Sequence, residues 1–474
     1  MDSGAVNRGR KSVGHGSGEP PGGADEGHPS EVSDDWRWTA HAGLDEIDPA
    51  AWDALLAQTG APTPFMGHAF LSALVDSASA CADTGWQPLV LAARDGAGAL
   101  QAAAMLWLKR HSYGEYVFDW AWADAWERAG GRYYPKLLGA VPFTPVPGTR
   151  LLARDDDGRR RLLQVMARQM RAMGLSSTHI LFMDEAERRC AESAGWLMRR
   201  TVQFHWENRR PEPYADMADF LASLQRDKRK KIQQERRYVR EAGVSLHTLV
   251  GHEITEADWD HFHHCYTLTY RAHRSTPYLS RDFFARMARD LPQHWLMVVG
   301  SRAGVPIARS LIALDPDRRV AWGRYWGATE PVRCLHFEAC YHAPLEWCIA
   351  NGWQRFEGGA QGEHKMARGL LPVSTWSAHI LADPGFHDAV ARHLAREGEG
   401  MAAYVDELAE HSPFKAGSGS DAGAGSGSTL SVDAAGCAAG ASEDSDESED
   451  SDDSEDSDAA AAAAAAASSA SARA

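Results

Sequence analysis

Apolar and polar positions follow a pattern that occurs twice along the chain. In "WQPLVLAARDGAGALQAAAMLWL" (86–108), two apolar segments flank a turn at Asp95 and Gly96. The segment "HWLMVVGSRAGVPIARSLIAL" (294–314) has the same layout around a second glycine turn. Apolar segments of this length on either side of a short glycine turn are typical of β-hairpins. The sequence therefore predicts two hairpins at corresponding positions.

Each predicted hairpin is followed by similar elements. An aromatic segment comes first, "EYVFDWAW" (115–122) in one copy and "VAWGRYWG" (320–327) in the other, and we predict a strand in both. After helical segments, "THILFM" (178–183) and "WQRFEGG" (353–359) predict one further strand in each copy. The simplest fold class is α/β, with two units of similar plan that each contain a mixed sheet.

A strongly basic segment lies between the two copies. The segment "FLASLQRDKRKKIQQERRYVREAGV" (220–244) has a thin apolar seam and predicts a helix that ends near Gly243. Positions 226–240 hold eight Lys or Arg residues and two acids. One interpretation is a solvated linker helix; the other is an anion site for phosphates of a nucleotide sugar, a tRNA or a cofactor. The candidate anion-binding residues are Lys228, Arg229, Lys230 and Lys231.

Composition narrows the class of protein. The chain has 474 residues, of which 44% are hydrophobic, enough for two or three domains. No apolar run is long enough to span a bilayer, and the first thirty residues do not resemble a signal peptide. The seven cysteines are scattered and form no CxxC pair, which is typical of a reducing compartment. We expect a soluble, cytoplasmic protein.

The net charge of −16 belongs mainly to one tail. Residues 416–474 contain 13 acids against the single Arg473, whereas the middle of the chain is nearly neutral. Residues 1–35 are rich in Gly, Pro and Ser, and residues 416–474 combine Gly/Ser, acidic and polyalanine segments. We expect both tails to be disordered, since neither can bury enough apolar surface. Acidic tails bind basic partners or, more commonly, solvate the protein.

Clusters of His and Cys suggest metal sites but lack suitable spacing. "DHFHHCY" (260–266) and "CLHFEACYHAPLEWCIANG" (334–352) fit packed helices better, and we predict no metal. Pro344 should kink or split the second of these helices. No GxSxG, GxxxxGK[ST] or strand-linked GxGxxG motif is present, which argues against common hydrolase, NTPase and dinucleotide sites.

The segment "GGAQGEHKMARG" (358–369) carries the strongest candidate chemistry. Its glycines let the backbone pass close to a ligand. Glu363 or His364 could accept a proton from an attacking amine. Lys365 and Arg368 could hold an anionic substrate. The alternative is a glycine turn with its charges in water, and we favour the functional interpretation.

Five segments resemble the FemAB-like family, a group of peptidoglycan biosynthesis/recognition proteins in the GNAT-type acyltransferase superfamily. They are "HSYGEYVFDWAWADAW" (111–126), "YYPKLLGAVPFTPVPGTRLL" (133–152), "RDKRKKIQQER" (226–236), "GRYWGATEPVRCLHFEACYH" (323–342) and "GAQGEHKMARGLLPV" (359–373). The resemblance implies two tandem GNAT-like acyl-CoA N-acyltransferase domains. We expect these at residues 36–215 and 246–415, joined by the basic linker helix at 216–245 and flanked by the tails.

The resemblance also implies an enzymatic function. Fem-type relatives transfer an amino acid from aminoacyl-tRNA to a peptide amine of a cell-wall precursor, whereas GNAT enzymes use acyl-CoA. The turn "GATEPVRCLHFE" (327–338) lacks the second glycine of a CoA pyrophosphate turn, although Arg333 could replace some of its charge. The donor, acyl-CoA or aminoacyl-tRNA, therefore stays open.

We predict an N-acyltransferase or aminoacyltransferase, with Glu363 or His364 as base and Arg324 and Tyr325 helping to stabilise the carbonyl oxygen. The expected partners are a small-molecule or peptide amine and tRNA, without DNA. One alternative is a non-catalytic module that binds a cell-wall or nucleotide-sugar ligand. Another is an RNA-binding protein, whose affinity would fall steeply with salt.

Overall fold

The alternating apolar segments form strands that are separated by amphipathic helices. The computed structural model describes residues 36–360 and 362–415, and the tails expected to be disordered, 1–35 and 416–474, lie outside these residues. The elements of the first half of the chain are β1 (Arg37–His41), α1 (Pro49–Leu56), α2 (His68–Asp76), β2 (Trp86–Arg94), β3 (Leu100–Lys109), α3 (Trp120–Arg128), β4 (Lys136–Gly139), β5 (Leu152–Ala153), α4 (Asp156–Ala172), β6 (Ser177–Met183), α5 (Glu185–Ser193) and β7 (Leu197–Glu207).

The second half repeats this plan after two additional helices. Its elements are α6 (Met217–Ser223), α7 (Arg226–Glu241), β8 (Val244–Val250), α8 (Glu256–Ala272), α9 (Arg281–Asp290), β9 (Trp295–Arg302), β10 (Val305–Asp315), β11 (Val320–Ala328), α10 (Leu335–Phe337), α11 (Ala343–Ala350), β12 (Arg355–Ala360), β13 (Leu371–Leu381) and α12 (Pro384–Glu410).

Both predicted hairpins are confirmed, and their turns have the expected chemistry. The Asp95 side chain accepts hydrogen bonds from the backbone N–H groups of Ala97 and Ala99, both at 2.9 Å, and so closes the β2–β3 turn. In the β9–β10 turn, Ala303 and Gly304 have φ values of 51° and 80°. Positive φ at both central residues is what a two-residue hairpin turn of type I′ requires. The predicted strands at 178–183, 320–327 and 353–359 are confirmed as well.

The strand predicted at 115–122 is wrong. This segment is a loop in which Tyr116 has a φ of 62°, and α3 begins at its end. Glu115 and Asp119 both reach the ammonium group of Lys136, at 2.8 and 2.6 Å. In a strand, their Cα atoms would lie about 13 Å apart and their side chains would stand roughly perpendicular to the chain, so the two carboxylates would not converge on one nitrogen. The strand that follows the β2–β3 hairpin is β4 instead.

Within the described residues, the strands join into one mixed sheet. The order across it is β1-β2-β3-β4-β6-β13-β7-β12-β11-β10-β9-β8, and β5 is attached to β3. In the first half, β1 to β4 are antiparallel and β6 runs parallel to β4. In the second half, β8 to β11 are antiparallel and β12 runs parallel to β11. The two halves therefore share one topology.

The last strand of each half lies in the part of the sheet built by the other half. β13 pairs with β6, β7 pairs with β12, and β7 and β13 pair with each other at the centre. All three pairings are antiparallel. This strand exchange makes the sheet continuous across the two halves.

Apolar side chains cover both faces of the sheet. On one face, α1 and α2 of the first half share a hydrophobic cluster with α8 and α9 of the second. The rings of Phe65 and Trp322 are 5.1 Å apart in this cluster, and those of Phe70 and Phe283 are 5.5 Å apart. On the other face, α4 and α5 cover the first half, and α6, α7 and α11 cover the second. The described residues thus belong to one compact unit, which begins at Trp36.

The helix around Pro344 is interrupted, as predicted. α10 is followed by a π-helical turn, Glu338–His342, and α11 begins at Ala343 with the proline in its first turn. Proline lacks an N–H group and clashes with the preceding turn of an α-helix, and a wider turn relieves that conflict. The helix therefore continues through the proline in three pieces.

Candidate active site

The two parallel strands of the second half separate after a short paired stretch. β11 and β12 pair only over Val320–Trp322 and Arg355–Glu357, although β11 continues to Ala328. On its other side, β11 contains a bulge against β10, because Leu311 pairs with Tyr325 and Ile312 with Gly323. Arg324 is the extra residue of that bulge. Bulges redirect side chains and end pairing, so the sheet opens beside Arg324 and Tyr325.

A buried carboxylate and a buried imidazole face each other where the two strands separate. Glu357 on β12 lies directly opposite His205 on β7 in the sheet register. Their side chains approach to 3.7 Å between Oε2 and Nε2, and the residues are 3% and 5% exposed. Arg355 Nε lies 2.9 Å from the other carboxylate oxygen of Glu357. In the described part of the chain, Oε2 of Glu357 has no hydrogen-bond donor, so this oxygen can accept one from a ligand.

The surroundings of His205 favour the neutral imidazole. Burial lowers the pKa of His205 from its usual value, and Arg355 and Lys365 act in the same direction, while Glu357 opposes them. Gln203 lies 3.2 Å from His205 Nε2 through its carbonyl oxygen, and its amide donates to Pro145 O at 2.7 Å. A neutral imidazole beside a carboxylate can accept a proton and become a stabilised imidazolium.

Arg324 and Tyr325 contact a loop of the first half. Arg324 donates to Phe143 O at 2.7 Å and to the Thr144 hydroxyl at 3.1 Å, and the Tyr325 hydroxyl donates to Phe143 O at 3.1 Å. Both residues are partly exposed. Burial of its hydroxyl raises the pKa of Tyr325, with Arg324 acting against this. The predicted pair therefore lies on the face covered by α8 and α9, together with a cluster of tyrosines.

The segment with Glu363 and His364 forms a 3₁₀ turn, Glu363–Arg368, on the other side of the opening. Glu363 is exposed, and its carboxylate accepts a hydrogen bond of 2.6 Å from the Tyr404 hydroxyl of α12. The His364 ring lies about 6 Å from the rings of Phe337 and Tyr341. This turn packs on the face covered by α7 and α11, through Met366 and its neighbours.

Arg368 is part of a buried ion-pair network. Its guanidinium is 2.8 Å from the carboxylate of Glu235 on α7 and lies over the ring of Phe337. Glu235 also accepts from His342 at 2.9 Å. Arg368 is only 1% exposed and Lys365 is 5% exposed. An anionic substrate could therefore reach Arg368 only if the pair with Glu235 opened.

The basic segment splits into α6 and α7, and α7 docks through one face. Ile232, Glu235 and Val239 are buried, whereas most of the basic residues point outward. Lys228 and Arg229 are half-buried, and Lys230 and Lys231 are exposed. A groove of about 640 Å³ runs along the outer face. The predicted residues thus fall into three groups: the Glu363–Arg368 turn, the Arg324–Tyr325 bulge and the surface of α7.

The first half has a related arrangement at the corresponding position. His179 on β6 lies opposite His379 on β13, as Glu357 lies opposite His205. The Nδ1 atoms of the two histidines are 2.7 Å apart. Burial lowers the pKa of His179 to about 3, and the charge of nearby Lys136 adds to the effect. The position in the second half therefore pairs a histidine with a carboxylate, whereas the position in the first half pairs two histidines.

Beside this histidine pair is a dense buried network around Lys136. Its ammonium binds Ser112, Glu115 and Asp119 at 2.6–2.8 Å, all of them buried. Burial raises the pKa of Glu115 to about 7, although Lys136 opposes the change. Such a network, closed to solvent, fixes the loop 111–119 to the sheet.

Sequence reasoning missed both buried pairs. Glu357 falls within the strand predicted at 353–359, and His205 lies in a different half of the chain. The local sequence signal for this site is weak. It consists of one polar residue at an inward position of each strand, His205 in "QFHWE" (203–207) and Glu357 in "RFE" (355–357). The pairs arise only because exchanged strands become neighbours, and alternation along a single strand does not predict which strand it will face.

The described residues contain neither a cluster of metal ligands nor a helix that could cross a membrane. Within residues 36–360 and 362–415, no group of three or more His, Cys, Asp or Glu side chains could hold a metal ion. Among the helices of these residues, none combines the length and hydropathy that crossing a bilayer requires.

Comparison with known proteins identifies one family. The sequence profile of the FemAB-like family, described as peptidoglycan biosynthesis/recognition, matches residues 43–416 and confirms the predicted resemblance. A search of curated proteins finds no match. Similar solved structures include FemX, with a TM-score of 0.46 and 8% identity over 73% of this chain and 98% of that chain. L-PGS from Bacillus licheniformis has a TM-score of 0.43 and 10% identity over 73% of this chain and 96% of that chain. A tandem GNAT protein from the clavulanic acid biosynthesis pathway has a TM-score of 0.40 and 13% identity over 74% of this chain and 99% of that chain. The repeated topology described above confirms the predicted mixed α/β fold with two units of similar plan.

Proposed function

The chain belongs to the FemAB-like family of peptidoglycan biosynthesis/recognition proteins, and from that premise we propose that it transfers an acyl or aminoacyl group to an amine. The proposed acceptor is an amine of a cell-wall precursor, in keeping with the family's description. The observation that carries the proposal is the Glu357–His205 pair at the point where β11 and β12 separate.

The reaction requires a proton acceptor. The amine nitrogen attacks the activated carbonyl carbon, the new C–N bond forms, and the bond to the donor's sulfur or oxygen breaks. The nitrogen loses a proton in the process, and the neutral imidazole of His205 is suited to take it. The carboxylate of Glu357, 3.7 Å away, would stabilise the resulting imidazolium. The same oxygen, Oε2, has no donor among the described residues and can accept a hydrogen bond from the incoming amine.

Glu363 and His364 are a second pair of candidate bases. Glu363 is exposed and held by Tyr404, so a bulky acceptor could reach it from the side of α7. In a given orientation of the substrate, the amine can contact either the Glu357–His205 pair or the Glu363–His364 pair, but not both. Measuring each variant separately distinguishes them.

Arg324 and Tyr325 are proposed to stabilise the carbonyl oxygen. That oxygen gains negative charge in the transition state and needs donors that are already oriented. The hydrogen bonds to Phe143 O fix both side chains at the bulge of β11. Lys365 would hold an anionic group of the substrate. Arg368 would do the same once its ion pair with Glu235 opens.

The donor is proposed to be acyl-CoA or aminoacyl-tRNA. Both carry phosphates, and the basic surface of α7 offers a site for them. Arg333 lies over the ring of Tyr238 on α7, at 4.2 Å from its centroid, so the turn that follows β11 adjoins this surface.

A four-residue variant tests the role of α7. Replacing Lys228, Arg229, Lys230 and Lys231 by Ser should weaken the binding of CoA and of unfractionated tRNA at low salt, measured by fluorescence anisotropy. The matched control replaces four exposed arginines of α4 and α5, Arg160, Arg168, Arg171 and Arg189. Equal affinities of the two variants would rule out the proposed role.

The reaction itself is tested with the full chain. The protein is incubated with a cell-wall precursor that carries a free amine and with acetyl-CoA or aminoacyl-tRNA, and mass spectrometry detects the added acyl mass. Glu357→Gln and His205→Asn should reduce the rate on the order of 100- to 10,000-fold. His379→Asn is the matched control, because it changes the corresponding buried histidine of the first half.

Two outcomes would contradict the proposal. If native protein retains the precursor but no donor yields a product of increased mass, the chain is a binding module without catalysis. If transfer occurs and the Glu357 and His205 variants, still folded, keep the native rate, the buried pair takes no part in the chemistry.

A further inference from the structure

The outer face of α7 carries positive charge that the described residues do not neutralise. Lys228, Arg236 and Arg237 are paired with acids. Within the described part of the chain, the other five basic residues of this helix have no acid within ion-pair distance: Arg226, Arg229, Lys230, Lys231 and Arg240. At 100° per residue, most of them lie on the same side of the helix.

This basic face lies beside the groove already described. Lys230, Arg237 and Arg240 line it together with two glutamines, Gln233 and Gln234. Glutamine amides and basic groups both donate hydrogen bonds, so the lining favours an anionic, acceptor-rich occupant. The helix is 16 residues long, or about 24 Å, which provides room for an extended segment.

The last described residues bring the chain to the start of this helix. Gln225, which precedes α7, donates from its backbone to Pro413 O at 2.8 Å and from its side chain to Ser412 O at 2.7 Å. Leu224 forms a β-bridge with Phe414, and Lys415 Nζ donates to Ala222 O at 2.7 Å. The chain therefore leaves the described part beside the first turn of α7.

The sequence beyond this point contains a segment of opposite charge. Residues 442–458, "SEDSDESEDSDDSEDSD", hold eleven acids and no base. Serine occupies every third position, so the acids come mostly in adjacent pairs. Twenty-six residues separate this segment from Lys415. They can span at most about 90 Å, several times the length of α7.

We propose that the acidic segment 442–458 docks on the outer face of α7 in the same chain and there competes with phosphate-bearing ligands. Tethering gives the segment an effective concentration on the order of millimolar, so weak individual ion pairs suffice. The contact is electrostatic and largely solvent-exposed, and raising the salt concentration should disrupt it. The docking does not depend on the proposed acyl transfer, because it involves no substrate.

Cross-linking of the full chain tests the contact directly. A zero-length carbodiimide reagent joins carboxylates to lysines, and the chain has only eight lysines, three of them on α7. At 50 mM NaCl, peptides from 442–458 should be linked to Lys228, Lys230 or Lys231, and these links should be lost at 0.5 M NaCl. Links confined to Lys11 or to the adjacent Lys415 would overturn the proposal.

The same experiment establishes whether the contact lies within one chain. The linked fraction should not change between 0.5 and 50 µM protein, and mixing labelled with unlabelled chains should give no mixed links. Mixed links that increase with concentration would show that the tail binds a second copy, which contradicts the proposal.

Competition is measured with inorganic polyphosphate as the probe. A full-length variant with all eleven acids of 443–458 changed to Asn or Gln should bind the probe at least 10-fold more tightly than native protein at 50 mM NaCl. Adding Lys230→Ser, Lys231→Ser, Arg237→Ser and Arg240→Ser should abolish this difference, whereas the control changes on α4 and α5 should leave it intact. Equal affinities of the native and neutral-tail proteins would refute the competition.

Discussion

Replacing Glu235 by Gln should strongly destabilise the protein. This carboxylate joins three elements: it lies on α7, pairs with Arg368 of the 3₁₀ turn at 2.8 Å and accepts from His342 at 2.9 Å. At 2.8 Å and an effective dielectric constant of about 20, the attraction between two unit charges is about 6 kcal/mol. Removing one partner of a buried pair typically costs about 3–5 kcal/mol, because the other charge stays buried. We expect a loss in that range.

Urea unfolding, followed by tryptophan fluorescence, measures the change in the free energy of unfolding. Glu241→Gln is the matched control: it lies on the same helix and pairs with Arg237 at 3.6 Å, with both side chains more than half exposed. Exposed pairs contribute less than about 1 kcal/mol. If the two variants lose the same amount of stability, the buried network has no special role. The double variant Glu235→Gln/Arg368→Met should recover part of the loss, since it also removes the unpaired charge.

The pH dependence of this difference has a defined sign. Burial raises the pKa of Glu235, but His342 and Arg368 outweigh it and leave the pKa below its usual value of 4.5. A lowered pKa in the folded state adds stability above pH 4.5, and that stability disappears as the pH falls through the folded value. The gap between native protein and Glu235→Gln should therefore narrow below pH 4.5. A gap that widens in acid would contradict the assigned ion pair.

Three other predictions concern the site and the core. Glu363→Gln and His364→Ala, made separately, should leave folding intact while at least one reduces turnover on the order of 100- to 10,000-fold; native rates in both would make the turn only a charged loop. Because burial lowers the pKa of His205, the acid limb of the pH profile of kcat/KM should have its midpoint below pH 6.5, and Glu357→Gln should move that midpoint lower still. A midpoint above pH 6.5 would exclude His205 as the base. Gly327→Ala should lower the thermal unfolding midpoint markedly, because the added Cβ would lie 2.1 Å from a backbone oxygen of α8. Gly96→Ala, which has open space around it, should have little effect, and similar midpoints of the two variants would contradict this packing.

Local pattern predicted the elements better than their arrangement. Alternation and turn residues identified both hairpins and the strands β6, β11 and β12, because these signals act over a few neighbouring residues. The error at 115–122 has a long-range cause: the attraction of Glu115 and Asp119 to Lys136 overrides a β-prone aromatic sequence. The repeated apolar pattern predicted two units of similar plan, and the family resemblance agreed with this repeat, which composition alone did not specify.

The candidate site was only partly accessible to sequence reasoning. The glycine-rich turn and the residues Arg324 and Tyr325 were predicted from the sequence as candidates, and their roles stay predictions. The pairing of Glu357 with His205 was not predicted, since it depends on which strand of one half lies beside β12 of the other. The burial of Arg368 was also missed, because its partner Glu235 lies in a helix that the sequence marks as basic and exposed.

The exchange of strands constrains the order in which the newly made chain can fold. The ribosome synthesises β6 and β7 long before β13, yet β13 must enter between them. Neighbouring strands lie about 4.8 Å apart, so β6 and β7 are about 9.6 Å apart in the finished sheet, and the strand between them is complete only when residue 381 has been made. A nascent chain that stops before Leu371 therefore exposes the edge of β6, and such unpaired edges invite aggregation. Emergence of β13 from the ribosome, rather than synthesis of the first half, is therefore the step that closes the sheet.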